Sequence, residues 1–242
     1  MKITSTKSSE NHAIKCLIYG ESGIGKTYIA STLPGKTLII SAESGLLSLA
    51  GFDIDMIDLN FNDSGKVNSK TTRLEEFKKI IAWLHTEEIQ KKYNNIFIDS
   101  LTEIAQNLVE SLLVKYPNRS DALVLWGEYA KEISYIIKLF RDLPKFNVIM
   151  TALVKFDKDD TDQRYAMIDL QGSIVNRLPQ FFDEVFFYNI ILGENKKLVR
   201  VLQTSKSDRF VAKDRSGKLL PVEIPNLSAI FDKINKKEET KK

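Results

Sequence analysis

The sequence contains one cysteine, Cys16, and two histidines, His12 and His85. A single thiol excludes a disulfide framework. His12 and His85 belong to no cluster with metal-ligand spacing and read as surface residues. Proline is scarce at six residues and glycine modest at eleven, which excludes a collagenous or linker-like chain. No apolar run reaches the roughly 18 residues of a membrane span. The opening Met1-Lys2-Ile3-Thr4-Ser5 is polar and lacks the apolar core of a secretion signal. Charge of one sign is missing too. The 35 Lys and Arg against 32 Asp and Glu leave a net +3, so composition alone does not call for a nucleic-acid partner. A cytoplasmic protein with no membrane partner is expected.

What is present is a 242-residue chain with 43% hydrophobic residues, enough for one sizeable core. Apolar strands are expected at 14–19, 37–40, 95–99 and 147–152, with helices at 101–115 and 125–142. Thr72 and Glu75 form a capping-box pattern before a helix with Leu74, Phe77, Ile80, Ile81 and Leu84 on one face. Residues 155–162 are charged and aperiodic, which predicts a mobile loop. Two β-rich runs, 184–191 and 197–204, read as a hairpin, and a short helix follows at 227–234. This order implies the α/β class: a doubly wound, mainly parallel sheet with a C-terminal antiparallel β-hairpin extension. One domain is expected over 12–235, between a flexible segment 1–11 and a charged, disordered tail 236–242.

The run Gly20-Glu21-Ser22-Gly23-Ile24-Gly25-Lys26-Thr27 fits G-x-x-x-x-G-K-[ST], the phosphate-binding P-loop. Its glycines let successive N–H groups turn inward on a phosphate. Lys26 can reach the β- and γ-phosphates, and the Thr27 hydroxyl can hold Mg²⁺. An apolar strand precedes the run. Tyr28 opens a helix-forming segment that Pro34-Gly35 ends. Residues 20–28 are therefore the nucleotide-binding candidates, with ATP and Mg²⁺ as cofactors.

Two acids stand at expected strand ends, where ligands bind in such sheets. Asp99 can serve the Mg²⁺ shell opposite Thr27, or it can cap the helix that follows. Glu43 can orient and partly deprotonate a water attacking the γ-phosphate, or it can be an ordinary loop glutamate. Further on, Lys213 and Arg215 alternate along an expected strand and would point to one face. Two such cations suit a triphosphate, or they protect a sheet edge.

Gly20–Thr27, then Ile40-Ser41-Ala42-Glu43, then a strand ending Asp99-Ser100, resemble the RecA-like P-loop ATPases. The resemblance implies a RecA-like sheet, Glu43 as catalytic glutamate and Asp99 as the magnesium aspartate. The stretch 210–217 resembles the Lys-x-Arg-x-Gly element of RecA-like hexameric helicases and clock ATPases. That implies Lys213 and Arg215 acting in trans, across a subunit interface. Together with Trp126-Gly127-Glu128-Tyr129 and Phe182-Asp183-Glu184-Val185, these motifs resemble small phage-encoded nucleotide-binding proteins, some of which anneal single strands in recombination. The implied partners are further copies of the chain in a ring or filament, single-stranded DNA, and a phage or host single-strand-binding protein in the bacterial cytoplasm. Thr151 is the polar residue at the sensor position. The segment 155–172 takes the place of a DNA-contacting loop, with Lys155, Lys158, Arg164 and Tyr165 as candidates opposed by Asp157, Asp159, Asp160 and Asp162. A nucleotide-dependent switch or assembly ATPase acting on a protein is the alternative, followed by a helicase motor.

Overall fold

The computed structural model describes residues 13–43, 45–158, 162–193 and 196–236. The expectations for 1–11 and for the end of the tail, 237–242, lie outside them. In chain order the elements are β1 (Lys15–Gly20), β2 (Thr37–Ser41), β3 (Asp55–Asp58), α1 (Lys70–Leu84), α2 (Glu87–Lys92), β4 (Asn95–Asp99), α3 (Leu101–Lys115) and α4 (Ala122–Arg141). Then come β5 (Asn147–Lys158), β6 (Arg164–Ile168), α5 (Ile174–Arg177), β7 (Glu184–Leu192), β8 (Leu198–Gln203), β9 (Lys213–Asp214), β10 (Val222–Glu223) and α6 (Leu227–Asn235).

Among the described residues the strands form one ten-stranded sheet in the order β10-β8-β7-β1-β5-β4-β2-β3, with β6 on β5 and β9 on β7. The six strands from β7 to β3 run parallel, and β6, β8, β9 and β10 pair antiparallel. This is the doubly wound, mainly parallel sheet with an antiparallel C-terminal extension. Every residue of β1, β2 and β4 is buried, as both faces of a parallel sheet must be. The period of two divides the core. Leu17, Tyr19, Ile96 and Ile98 face one layer with α1, α3 and α4. Cys16, Ile18 and Phe97 face the other, closed by α6 and the turn at 28–32. No helix among the described residues is long and apolar enough to cross a membrane.

Four local expectations change. The segment after the P-loop makes one 3₁₀ turn, Tyr28–Thr32, because Leu33 is already extended and Gly35 turns left-handed at φ +76°. Helix α1 starts earlier than the Thr72–Glu75 pattern implied: Ser69 is its cap, accepting from Thr72 N–H at 3.1 Å. A short strand, β3, had no clear signal, since its burial is incomplete and its ends are charged. The predicted mobile loop at 155–162 is largely strand, because β5 continues through Lys158 and pairs with β6 in register. Residues 159–161 lie outside the description.

Candidate nucleotide-binding site

Strand β1 delivers the P-loop between β5 and β7 at the carboxyl edge of the sheet. Only glycine fits at 20, where a Cβ would lie 2.5 Å from the Tyr188 carbonyl oxygen. Gly23 and Gly25 take φ of +75° and +112°, which turns the loop N–H groups inward. Lys26 is buried, and its ammonium donates to the carbonyls of Gly20 at 3.0 Å and Glu21 at 2.8 Å. Burial lowers its pKa, with Glu43 and Asp99 opposing.

The Asp99 carboxylate is gripped from two sides. Thr27 donates to Oδ2 at 2.6 Å and Thr151 to Oδ1 at 2.5 Å. Three strands thus converge, because β5 lies between β1 and β4 and carries Thr151 into the gap. Capping of α3 falls to the next residue: Ser100 Oγ accepts from Glu103 N–H at 3.3 Å. Asp99 is therefore free of the cap role. The Asp99–Ser100 peptide is cis.

Glu43 follows β2, the neighbour of β4, two residues past the Ser41–Asp99 register pair. The backbone leading to it is pinned, since Ala42 N–H donates to the Asp99 carbonyl at 2.6 Å and Asn60 Nδ2 to the Ala42 carbonyl at 3.1 Å. Ser100 Oγ donates to the Glu43 carboxylate. The residue is exposed as a whole, yet the carboxylate end is packed closely enough for desolvation to raise its pKa, against the Ser100 hydrogen bond.

The family model described as AAA domain matches residues 12–216. The chain belongs to the AAA-domain family. It carries an AAA-type P-loop ATPase domain. No curated protein matches the sequence. Among solved structures, similarity extends to a prototypical ATPase from the type III secretion system of pathogenic bacteria, at 14% identity and a TM-score of 0.48, over 74% of this chain and 52% of that one. The AAA-domain chain thus spans about half the length of that protein.

The residues of this AAA domain fit a magnesium nucleotide. The left-handed glycines open the loop for a phosphate, and the Thr27 hydroxyl and Asp99 carboxylate converge as oxygen donors suited to Mg²⁺. Tyr28 stands beside this cradle, half exposed and edge-on to Phe52, with ring centroids 6.0 Å apart.

Lys213 and Arg215 are not brought to this site. Only Lys213 lies in β9, whose register places it beside Val185, and Arg215 falls past the strand end. Cys16 pairs with Glu184 at the same edge, so Gly20 lies four residues further along β1, roughly 13 Å away. Lys213 Nζ donates to the carbonyls of Pro179 at 3.0 Å and Phe182 at 2.6 Å, and burial lowers its pKa. Arg215 pairs with Asp183 at 2.5 Å. The two side chains therefore do not form the free, co-projecting pair expected from strand alternation.

The DNA candidates separate as well. Lys155 lines a groove of about 660 Å³ together with Trp126, Asp157, Asp169 and Gln171. Lys158 pairs with Asp162 at 2.6 Å. Tyr165 is half-buried. Arg164 turns toward the P-loop, with its guanidinium 3.9 Å from Glu21.

Three site residues escaped the sequence. Tyr188 places its hydroxyl 3.1 Å from where a Gly25 Cβ would stand. Ser100 holds Glu43, and Asn60 anchors the turn before it. Nothing in spacing marks Tyr188 or Asn60. Ser100 was legible only as part of the Asp-Ser resemblance.

Proposed function

We propose that the chain is a Mg²⁺-dependent ATPase of the RecA-like kind that works as an oligomer on single-stranded DNA and promotes annealing in phage recombination. The observation that carries the ATPase reading is the convergence of Thr27 and Thr151 on Asp99, with Glu43 held one residue away through Ser100. Lys26 neutralises the terminal phosphates from the position it shares with the Gly20 and Glu21 carbonyls. Glu43 orients the attacking water and takes its proton, a contribution of about 10²–10⁴ in rate. Asp99 and Thr27 supply the oxygens for the metal, which offsets charge on the phosphates.

Lys213 and Arg215 serve the P-loop of a neighbouring copy in this proposal. Their place at the opposite strand end supports it, because they are too far along the sheet to serve their own site. The DNA step rests on the groove that joins exposed Trp126 to Lys155, a stacking surface beside a cation. Fluorescence anisotropy with single-stranded DNA, with and without ATP and Mg²⁺, tests it. Salt-sensitive binding is expected, and its absence in both states overturns the DNA step while leaving the ATPase reading to turnover assays. A nucleotide switch acting on a protein is the second reading. The acidic side of the same groove, Asp157 and Asp169, and the neutralising Lys158–Asp162 pair favour it.

A further inference from the structure

Arg164 is an exposed cation of the β5–β6 hairpin whose guanidinium leans toward the P-loop. It stands opposite Lys158 in the antiparallel register, and Phe156 lies two residues along on the same face. The guanidinium carbon sits 3.4 Å from the Phe156 ring centroid, so the ring holds the planar group in one orientation. One terminal nitrogen reaches to 3.9 Å from the Glu21 carboxylate, which belongs to the P-loop itself.

That contact is too weak to be structural. Both side chains are more than 60% exposed, at 65% and 63%, and exposed ion pairs contribute about 0–1 kcal/mol. It nevertheless places a guanidinium at one particular end of the site. Lys26, the residue that reaches β- and γ-phosphates, already touches the Glu21 carbonyl at 2.8 Å. Glu21 therefore marks the terminal-phosphate end of the loop. A phosphate oxygen pair arriving there is a better partner for a guanidinium fork than a solvated carboxylate beyond normal hydrogen-bond reach. Glu21, left alone, would repel that phosphate.

We infer that Arg164 reads the terminal phosphate of a nucleotide bound in its own chain, exchanging Glu21 for the γ-phosphate, so that the β5–β6 hairpin distinguishes a triphosphate from a diphosphate. This rests on the ATP-binding reading above and assigns to the nucleotide a residue that the sequence offered to DNA. Arg164 differs in kind from Lys213 and Arg215, which lie at the other end of the sheet.

The test is equilibrium binding of a non-hydrolysable fluorescent ATP analogue and of fluorescent ADP, each with Mg²⁺, to the full chain. Arg164→Ala should weaken analogue binding roughly tenfold, the loss of one charged hydrogen bond, and leave ADP within twofold. Glu21→Gln should tighten the analogue and leave ADP alone. Arg164→Lys keeps a charge on the strand but loses the fork, so it should fall between wild type and Ala. It gives the answer if the Ala variant melts early. Equal effects of Arg164→Ala and Arg164→Lys on both nucleotides, or no effect on either, overturn the inference. Failure of the wild-type chain to bind either nucleotide overturns the ATP reading instead.

Discussion

Arg215 and Asp183 of the same chain form an ion pair at 2.5 Å, at the end of the sheet remote from the P-loop. In the trans role proposed above, Arg215 exchanges this in-chain partner for the phosphate of a neighbouring copy. Mixing Arg215→Ala with Lys26→Ala should then restore part of the turnover that each lacks alone. The Lys26→Ala subunit still presents Arg215 to the intact P-loop of its neighbour. A coupled phosphate-release assay on mixed subunits checks this, and additive inactivity would place Arg215 in a purely structural role.

Glu43→Gln should retain nucleotide binding and lose about 10²–10⁴ in turnover. Burial raises the Glu43 pKa, and a general base must be ionised, so the acid limb of the rate profile should lie above the range of a free glutamate. Ser100→Ala removes the hydrogen bond that favours the carboxylate. It should shift that limb to still higher pH. A kcat profile against pH for both proteins reads the shift.

Thr151→Val leaves Asp99 Oδ1 without its 2.5 Å donor while Asp99 remains buried. An unsatisfied buried charge-bearing oxygen costs about 1–3 kcal/mol, so denaturant unfolding should reveal a loss of that size. The Mg²⁺ concentration needed for half-maximal turnover should rise, because the carboxylate is no longer held toward Thr27. Unchanged magnesium dependence would confine Thr151 to the core.

Glu184 is buried beside Asp214, and burial first, then that neighbouring charge, push its carboxyl from 4.5 to about 8. The folded chain therefore holds a proton that the unfolded chain releases across that window. Stability from this group is full below the unfolded pKa of about 4.5 and is lost as pH rises through the folded value near 8. Glu184→Gln should flatten the decline between those limits, measured as Tm across pH.

Gly20→Ala should fail to fold normally. The added Cβ meets the Tyr188 carbonyl oxygen at 2.5 Å, and backbone on β7 cannot move aside without breaking its pairing with β1. Overpacking of this kind costs about 1–3 kcal/mol or more. A thermal melt compared with Gly23→Ala, where no atom lies within 4 Å of the added Cβ but φ is +75°, separates the steric cost from the conformational one.

The central strands were legible because each is a short apolar run closed by polar or glycine residues, as Ile96-Phe97-Ile98-Asp99 shows. The hairpin of β5 and β6 was not. Its residues are charged on the solvent side, and the pairing that makes Lys155–Lys158 strand comes from Arg164–Met167. Strand content there depends on a partner, not on local preference. Ser69 likewise displaced Thr72 as the helix cap, since its hydroxyl can equally accept from a backbone N–H three residues on, without a glutamate there.

The one-dimensional order of residues by itself determined the P-loop, because successive N–H groups on one short loop need nothing beyond local spacing. It also placed Asp99 and Glu43 at strand ends, since strand length and polarity are local properties. Which groups then meet was decided by strand order. Inserting β5 between β1 and β4 brings Thr151 to Asp99, and pairing β2 with β4 brings Glu43 to Ser100. The same topology sent Arg164 to the P-loop and Lys213 with Arg215 to the far edge. Contacts between residues some fifty or more positions apart arise from packing one strand beside another, and no local pattern carries that information.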